Sequence, residues 1–241
     1  MHIRLSDVKG REISEGVTER ILLKPDQTRP GGLSARHYVL TQGEVTFAEP
    51  EVEYQHYMVS GAGLFGRRLV HGDTAIFVPG SRRFGEPGRH SISHQGEGEL
   101  RLISVTYRIP RPNFRWAKTR IKNLYEVPAS LGNIYAQQLF TEEEHAVMGA
   151  LRMHAIDVQT NPPLNAMSLH KNPEEIMYFL RGTGEAVSGE ERHKVGPGSL
   201  VYTPEGETHA IFNTSDRYPL QYFVLEFIEH DRMWTERGLQ G

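Results

Sequence analysis

Gly198-Ser-Leu-Val-Tyr-Thr-Pro204-Glu-Gly206-Glu-Thr-His209-Ala-Ile-Phe-Asn213 is the run of residues that decides the fold. Leu200-Val-Tyr202 reads as a strand. Pro204-Glu-Gly206 reads as a turn, because Pro presets one backbone angle and Gly relieves another. His209 follows that turn, which carries a metal-capable side chain back across the structure. Upstream, Ser168 and His170 stand two apart and so share a strand face. Glu175, Met177 and Phe179 share one parity of the next run, and Ile176, Tyr178 and Leu180 share the other. If Glu175 points into a barrel, Met177 and Phe179 line it too, and the other three pack outward against another sheet.

Further strand-like runs fill the chain, at residues 20–24, 37–41, 57–60, 74–78, 100–107, 133–137, 151–158 and 220–227. Helical periodicity is scarce. Thr141-Glu-Glu-Glu144 reads as a cap or short turn, and residues 229–238 as a short terminal helix. The runs also repeat. Tyr57-Met-Val-Ser-Gly61-Ala-Gly63 matches Tyr178-Phe-Leu-Arg-Gly182-Thr-Gly184, and Ala75-Ile-Phe-Val-Pro79 matches Leu200-Val-Tyr-Thr-Pro204 in pattern. A period this long implies a duplicated domain rather than a solenoid. Residues 1–110 are expected to form a first domain and residues 129–241 a second. Residues 111–128, rich in charge, would link them; Trp116 there lies among Arg115, Lys118, Arg120 and Lys122.

Composition narrows the function. Of 241 residues, none is Cys, which excludes disulfides, Cys–zinc sites, iron–sulfur clusters and a thiol nucleophile. A net charge of -3, with scattered Arg, gives no nucleic-acid stripe. No apolar run reaches the ~18 residues of a membrane span. The first residues lack the apolar stretch of a signal peptide, so cytoplasm is the default expectation.

The stretch quoted first resembles the later motif of the cupin superfamily: Gly198, five residues, Pro204-x-Gly206, two residues, His209, three residues, Asn213. The earlier motif of that family is similar to Ser168-Leu-His170, four residues, Glu175, six residues, Gly182. Ser168 stands where the family has its first His, and Pro162 where it has the opening Gly. The resemblance implies an all-β fold of two tandem double-stranded β-helix (jelly-roll) barrels with few short helices. It also implies a divalent transition metal, Fe, Mn, Ni or Zn, on His170, Glu175 and His209. Two imidazoles and a carboxylate suit such an ion and leave coordination positions open for chemistry. Ser168, a water, His154, Gln221 or Glu226 are candidates for a fourth ligand.

The first half reads differently. Aligning Gly61 with Gly182 sets Tyr54 opposite Glu175, Glu49 opposite His170, Phe47 opposite Ser168 and His56 opposite Met177. Aligning Pro79 with Pro204 sets Phe84 opposite His209. The first barrel is therefore expected to be metal-free and structural, with Tyr54, Arg82 and Arg83 at its mouth. His71, His90 and His94, in turn-rich stretches, are expected to be solvated.

Two-barrel cupins include dioxygenases, decarboxylases, isomerases and the hydrolase of ureidoglycine. The resemblance thus implies a metal-dependent enzyme on a small polar metabolite, a carboxylate or carbonyl compound, with no nucleic-acid or membrane partner. Glu226 or His154 are candidate acid–base groups. The alternative is a non-catalytic module that binds a small molecule or sugar. A homodimer is expected from sheet edges that pair between chains.

Overall fold

The computed structural model describes residues 1–28, 33–49, 52–79, 89–108, 118–128, 134–140, 148–156, 170–171 and 174–227. Pro162, Ser168, Arg82, Arg83, Phe84, Arg115, Trp116, residues 141–144 and residues 229–238 lie outside them.

In chain order the strands are β1 His2–Arg4, β2 Arg11–Ser14, β3 Val17–Leu23, β4 Ser34–Leu40, β5 Glu44–Phe47, β6 Val52–Ser60 and β7 Ala62–Phe65. There follow β8 Arg68–His71, β9 Thr74–Val78, β10 His90–Gln95, β11 Leu100–Arg108, β12 Arg120–Asn123, β13 Ile134–Phe140 and β14 Met148–Ile156. The series ends with β15 His170–Lys171, β16 Glu174–Arg181, β17 Gly184–Ser188, β18 Glu191–Val195, β19 Ser199–Thr203, β20 Thr208–Asn213 and β21 Leu220–Phe227. Helical structure among the described residues is confined to three short 3-10 turns, Leu5–Asp7, Pro25–Gln27 and Leu124–Glu126. No helix of the described residues is long and apolar enough to cross a membrane.

The chain divides into two compact units. One unit, Val8–Glu126 with Glu143–Ala146, contains a seven-stranded sheet, β12-β9-β6-β11-β4-β3-β2, and a four-stranded sheet, β5-β10-β7-β8. The other, Met1–Asp7 with Val127–Glu142 and Val147–Gly241, contains β1-β19-β16-β21-β14-β13 and β15-β20-β17-β18. Apart from β2, which adds a seventh strand to the first unit's large sheet, the two strand orders correspond among the described residues, which is the duplication that the repeated glycine motifs announce.

Two segments sit where the expected boundaries did not put them. β1, inside residues 1–110, pairs with β19 of the second unit, with His2 against Val201. β12, inside the expected linker, pairs with β9 of the first, with Arg120 against Phe77. The reason is the same in both cases. β9 and β19 are buried along their whole length, and their outer backbone groups need partners. Each takes a short strand from elsewhere in the chain.

Within each unit the two sheets share an apolar interior. In the second, Met177, Phe179, Val201, Tyr222 and Val224 from the large sheet meet Ala186, Val195 and Ile211 from the small one. The parity of Glu175, Met177 and Phe179 is thus the inward one, as the sequence implied. Ile176 and Tyr178 are buried on the outward face, where Tyr178 stacks on Phe223 at 5.5 Å. The polar strands, β5, β10, β17, β18 and β20, carry too few apolar residues to stand out as runs. They form the small sheets, one face of which is wet, so they alternate instead.

Candidate metal centre in the second barrel

The turn before His209 forms as the sequence requires. The Glu207 amide donates to the Pro204 carbonyl at 3.2 Å, and Gly206 takes φ +76°, a left-handed value that other residues resist. β20 leaves this turn with His209 in its second position.

Register then assembles a polar layer at one end of the apolar interior. Glu175 pairs with Thr203 on one side and with Glu226 on the other. On the facing sheet His209 pairs with Ser188 on one side and with His170 on the other. Across the sheets, His209 Nε2 lies 3.0 Å from Glu175 Oε2, and the two side chains are only 2% and 3% exposed. Thr203 donates its hydroxyl to Ser188 at 3.1 Å. Glu226 is half-buried. Tyr222, four residues before Glu226 on β21, has its phenol pushed well above the usual value, first by burial and then by the charge of Glu175.

The donor set fits a divalent transition ion. A fully buried carboxylate is costly unless a cation or strong donors compensate it. Glu175 meets an imidazole, the ligand type that such ions prefer beside a carboxylate. Of the three ligand candidates, Glu175 and His209 have their side chains in contact. His170 stands beside His209 by backbone register, in the two-residue strand β15. Among the fourth-ligand candidates, Gln221 has the parity of Phe223 and Leu225, so it lies on the outward face. Glu226 shares the inward parity with Tyr222 and Val224. His154 pairs with Tyr222 in register. Ser188 and Thr203, which sequence reasoning missed, join the layer through cross-strand pairing alone. Their spacing in the chain gave no signal of it.

The first barrel differs from expectation at three positions. Gly63 pairs with His94 as Gly184 pairs with Asn213, so His90, not Phe84, takes the place of His209. Phe47 pairs with His90 as His170 pairs with His209, so Phe47, not Glu49, takes the place of His170. The cause is loop length: His209 follows Pro204 by five positions, whereas His90 follows Pro79 by eleven. His90 is on a strand and its ring contacts Phe47, Tyr54 and His56, so it is not a solvated turn residue. His71 is exposed as expected, and His94 bonds the Gly98 carbonyl at 2.7 Å. Tyr54 matches Glu175 as aligned, since it pairs with Val78 as Glu175 pairs with Thr203. Burial raises its phenol to about 12. Glu49 accepts from Arg36 at 2.5 Å, and its amide donates to the Tyr54 hydroxyl at 2.8 Å.

The cupin domain family matches residues 157–226, which contain all three ligand candidates. Among solved structures, protein YlbA from E. coli is similar with a TM-score of 0.75 and 12% identity, covering 94% of this chain and 90% of that one. A putative glyoxylate-induced protein from Pseudomonas aeruginosa gives 0.74 and 10%, covering 94% and 87%. The oxalate decarboxylase of Lactobacillus farciminis, in a formate complex, gives 0.66 and 13%, covering 98% and 90%. At these identities the likeness is one of fold. No curated protein sequence matches the chain significantly. Residues 157–226 thus match the cupin domain family, and along its length the chain has the two-barrel jelly-roll fold of these structures.

Proposed function

We propose that the second barrel holds a divalent transition metal, iron, manganese, nickel or zinc, on His170, Glu175 and His209. We propose further that the protein is an enzyme acting on a small carboxylate or carbonyl compound. The observation that carries this reading is the buried contact between Glu175 and His209 at 3.0 Å, made across two sheets at the polar end of an apolar barrel. Fold relatives named oxalate decarboxylases support the carboxylate class.

When bound, the metal supplies Lewis acidity toward a chelating oxygen, or a seat for dioxygen. The chain's own residues do the rest. Met177, Phe179, Val201 and Val224 wall the deep side and exclude water there. The Ser188–Thr203 hydrogen bond fixes the layer beside the ligands. Glu226 stands next to Glu175 across the strand pair and is half-buried, so it exchanges protons with solvent and serves as the acid–base group. Tyr222 stays protonated and acts as a donor rather than a base. The reading includes a homodimer, supported by β8 and β18, which end their sheets among the described residues.

The test is turnover by metal-loaded protein against a panel of small carboxylic and carbonyl compounds, with dioxygen uptake and product analysis. Turnover is expected, with His209→Ala inactive. Glu226→Gln should keep its metal while kcat/KM falls by roughly 10²-fold, the usual worth of an acid–base group. Ligand-induced thermal shifts that are the same in His209→Ala, with no turnover by either protein, would contradict the reading and favour a non-catalytic binding module.

A further inference from the structure

The second unit carries a histidine pair that the metal layer does not use. β1 ends the large sheet of that unit and β18 ends the small one. His2 on β1 pairs with Val201, and His193 on β18 pairs with Ala186. Val201 and Ala186 both belong to the apolar interior, and residues paired across strands share a face. The two imidazoles therefore meet across the open edge between the sheets, with ring centroids 4.9 Å apart and planes tilted by 31°. His2 Nε2 is buried there, with no hydrogen-bond partner among the described residues. His193 Nε2 stands 3.1 Å from Glu191 Oε2.

The segment that carries His2 is lightly held. None of residues Met1–Asp7 is buried, and β1 is three residues long. Beside the short ladder, the Leu5 amide donates to the Gly198 carbonyl and the Tyr202 amide to the Met1 carbonyl, each at 2.9 Å. The Met1 amine donates to the Tyr202 carbonyl at 2.8 Å. A segment with so little buried surface opens readily, so one added charge can decide its docking. A proton on His2 would place that charge on a buried ring without a partner for Nε2, beside a second imidazole that can itself charge. Burial, then His193, Arg4 and the Met1 amine hold the His2 pKa below its ordinary value, and only Asp7 opposes them. Behind His193 stands Glu191, and the residue of β19 that shares the face of His2 is the apolar Val201.

We infer that Met1–Asp7 is a pH-sensitive strap on the second barrel: neutral His2 packs on His193 and docks β1, and mild acid, by charging the imidazoles, releases β1 from β19. The docked form binds a proton at His2 less readily than the released form. Docking is therefore complete above the ordinary His value of 6.5 and weakens as pH falls below it. Release bares the outer edge of β19, the strand whose Thr203 pairs with Glu175, so the wall of the candidate metal layer loosens in acid. The strap needs no metal, and it stands or falls separately from the proposed metal centre.

The experiment is amide hydrogen exchange of the full chain, with chelator present, between pH 7.5 and 5, corrected for the intrinsic effect of pH on exchange. The Leu5 and Tyr202 amides report the strap, and the amides of the β16–β21 ladder report the rest of the same unit. Protection at Leu5 and Tyr202 should fall by up to tenfold per pH unit below 6.5, and by more than any fall in the ladder. His2→Phe keeps a ring on His193 but cannot charge, so its strap protection should not change with pH beyond any change in the ladder. His193→Phe should move the fall to lower pH. In the wild-type chain, ring resonances of His2 should titrate below the ordinary His range, over the interval in which Leu5 loses protection. Strap and ladder amides that lose protection in step, the same pH dependence in wild type and His2→Phe, or a His2 ring that titrates at its ordinary value would each overturn the inference.

Discussion

Gly182→Ala is expected to destabilise the second barrel by at least about 3 kcal/mol, among the larger single-residue effects. Two costs add. Gly182 adopts φ +78°, where any side chain is strained, and a Cβ there would stand 2.3 Å from the Pro219 carbonyl oxygen. That oxygen belongs to backbone entering β21, so it cannot swing aside as a flexible side chain would. Gly61, the matching residue of the first barrel, has φ +84° and the same 2.3 Å approach, there to the Glu99 carbonyl oxygen. The control is Gly66→Ala: Gly66 has φ +61° with nothing within 4 Å of the added atom, so only the conformational cost of ~1–2 kcal/mol applies. Thermal unfolding should drop by roughly 6–12 °C in Gly182→Ala and Gly61→Ala, and by half of that or less in Gly66→Ala. Equal shifts in all three would mean that the close backbone approach contributes nothing.

Stability is also expected to fall steeply on mild acidification, through His37. This residue is 1% exposed, and its pKa is lowered to about 4, first by burial and then by the positive charges of Arg20 and Arg101. Arg20 is its cross-strand neighbour on β3, and Ile103 is its neighbour on β11. The unfolded chain binds a proton at this His below about pH 6.5, whereas the folded chain stays unprotonated until about pH 4. Folding is therefore favoured fully above the unfolded value, and the advantage is lost as pH falls through the window between the two. One group with this shift removes about 3 kcal/mol across the window. Urea denaturation at pH 8, 6.5, 5.5 and 4.5, in the presence of chelator, measures it. His37→Leu should flatten the profile by about 1.4 kcal/mol per pH unit below 6.5. A wild-type profile parallel to that of the variant would contradict the assignment.

The architecture was legible because chain punctuation repeats. Gly61-Ala-Gly63 and Gly182-Thr-Gly184 mark the same close crossing in both barrels, and both apolar runs before them occupy the same central strand. Inward and outward residues of β16 followed from parity alone. What did not show were strands whose apolar content is low. β5, β10 and β20 pair through backbone, and half their side chains face water, so they read as turns. His90 was misplaced for this reason and because six extra positions after Pro79 break the count that aligned Phe84 with His209. The candidate site was half legible. Glu175 and His209 came from motif spacing, whereas Ser188 and Thr203 entered through strand register, which one sequence does not reveal. β1 and β12 escaped because four residues or fewer carry no periodicity.

The central claim is a metal on His170, Glu175 and His209, and elemental analysis tests it most directly. Untagged protein, desalted after purification, should carry about one equivalent of iron, manganese, nickel or zinc, and His170→Ala and His209→Ala should each lose it. Protein that holds no stoichiometric metal after reconstitution and desalting, or variants that retain the wild-type amount, would contradict the account.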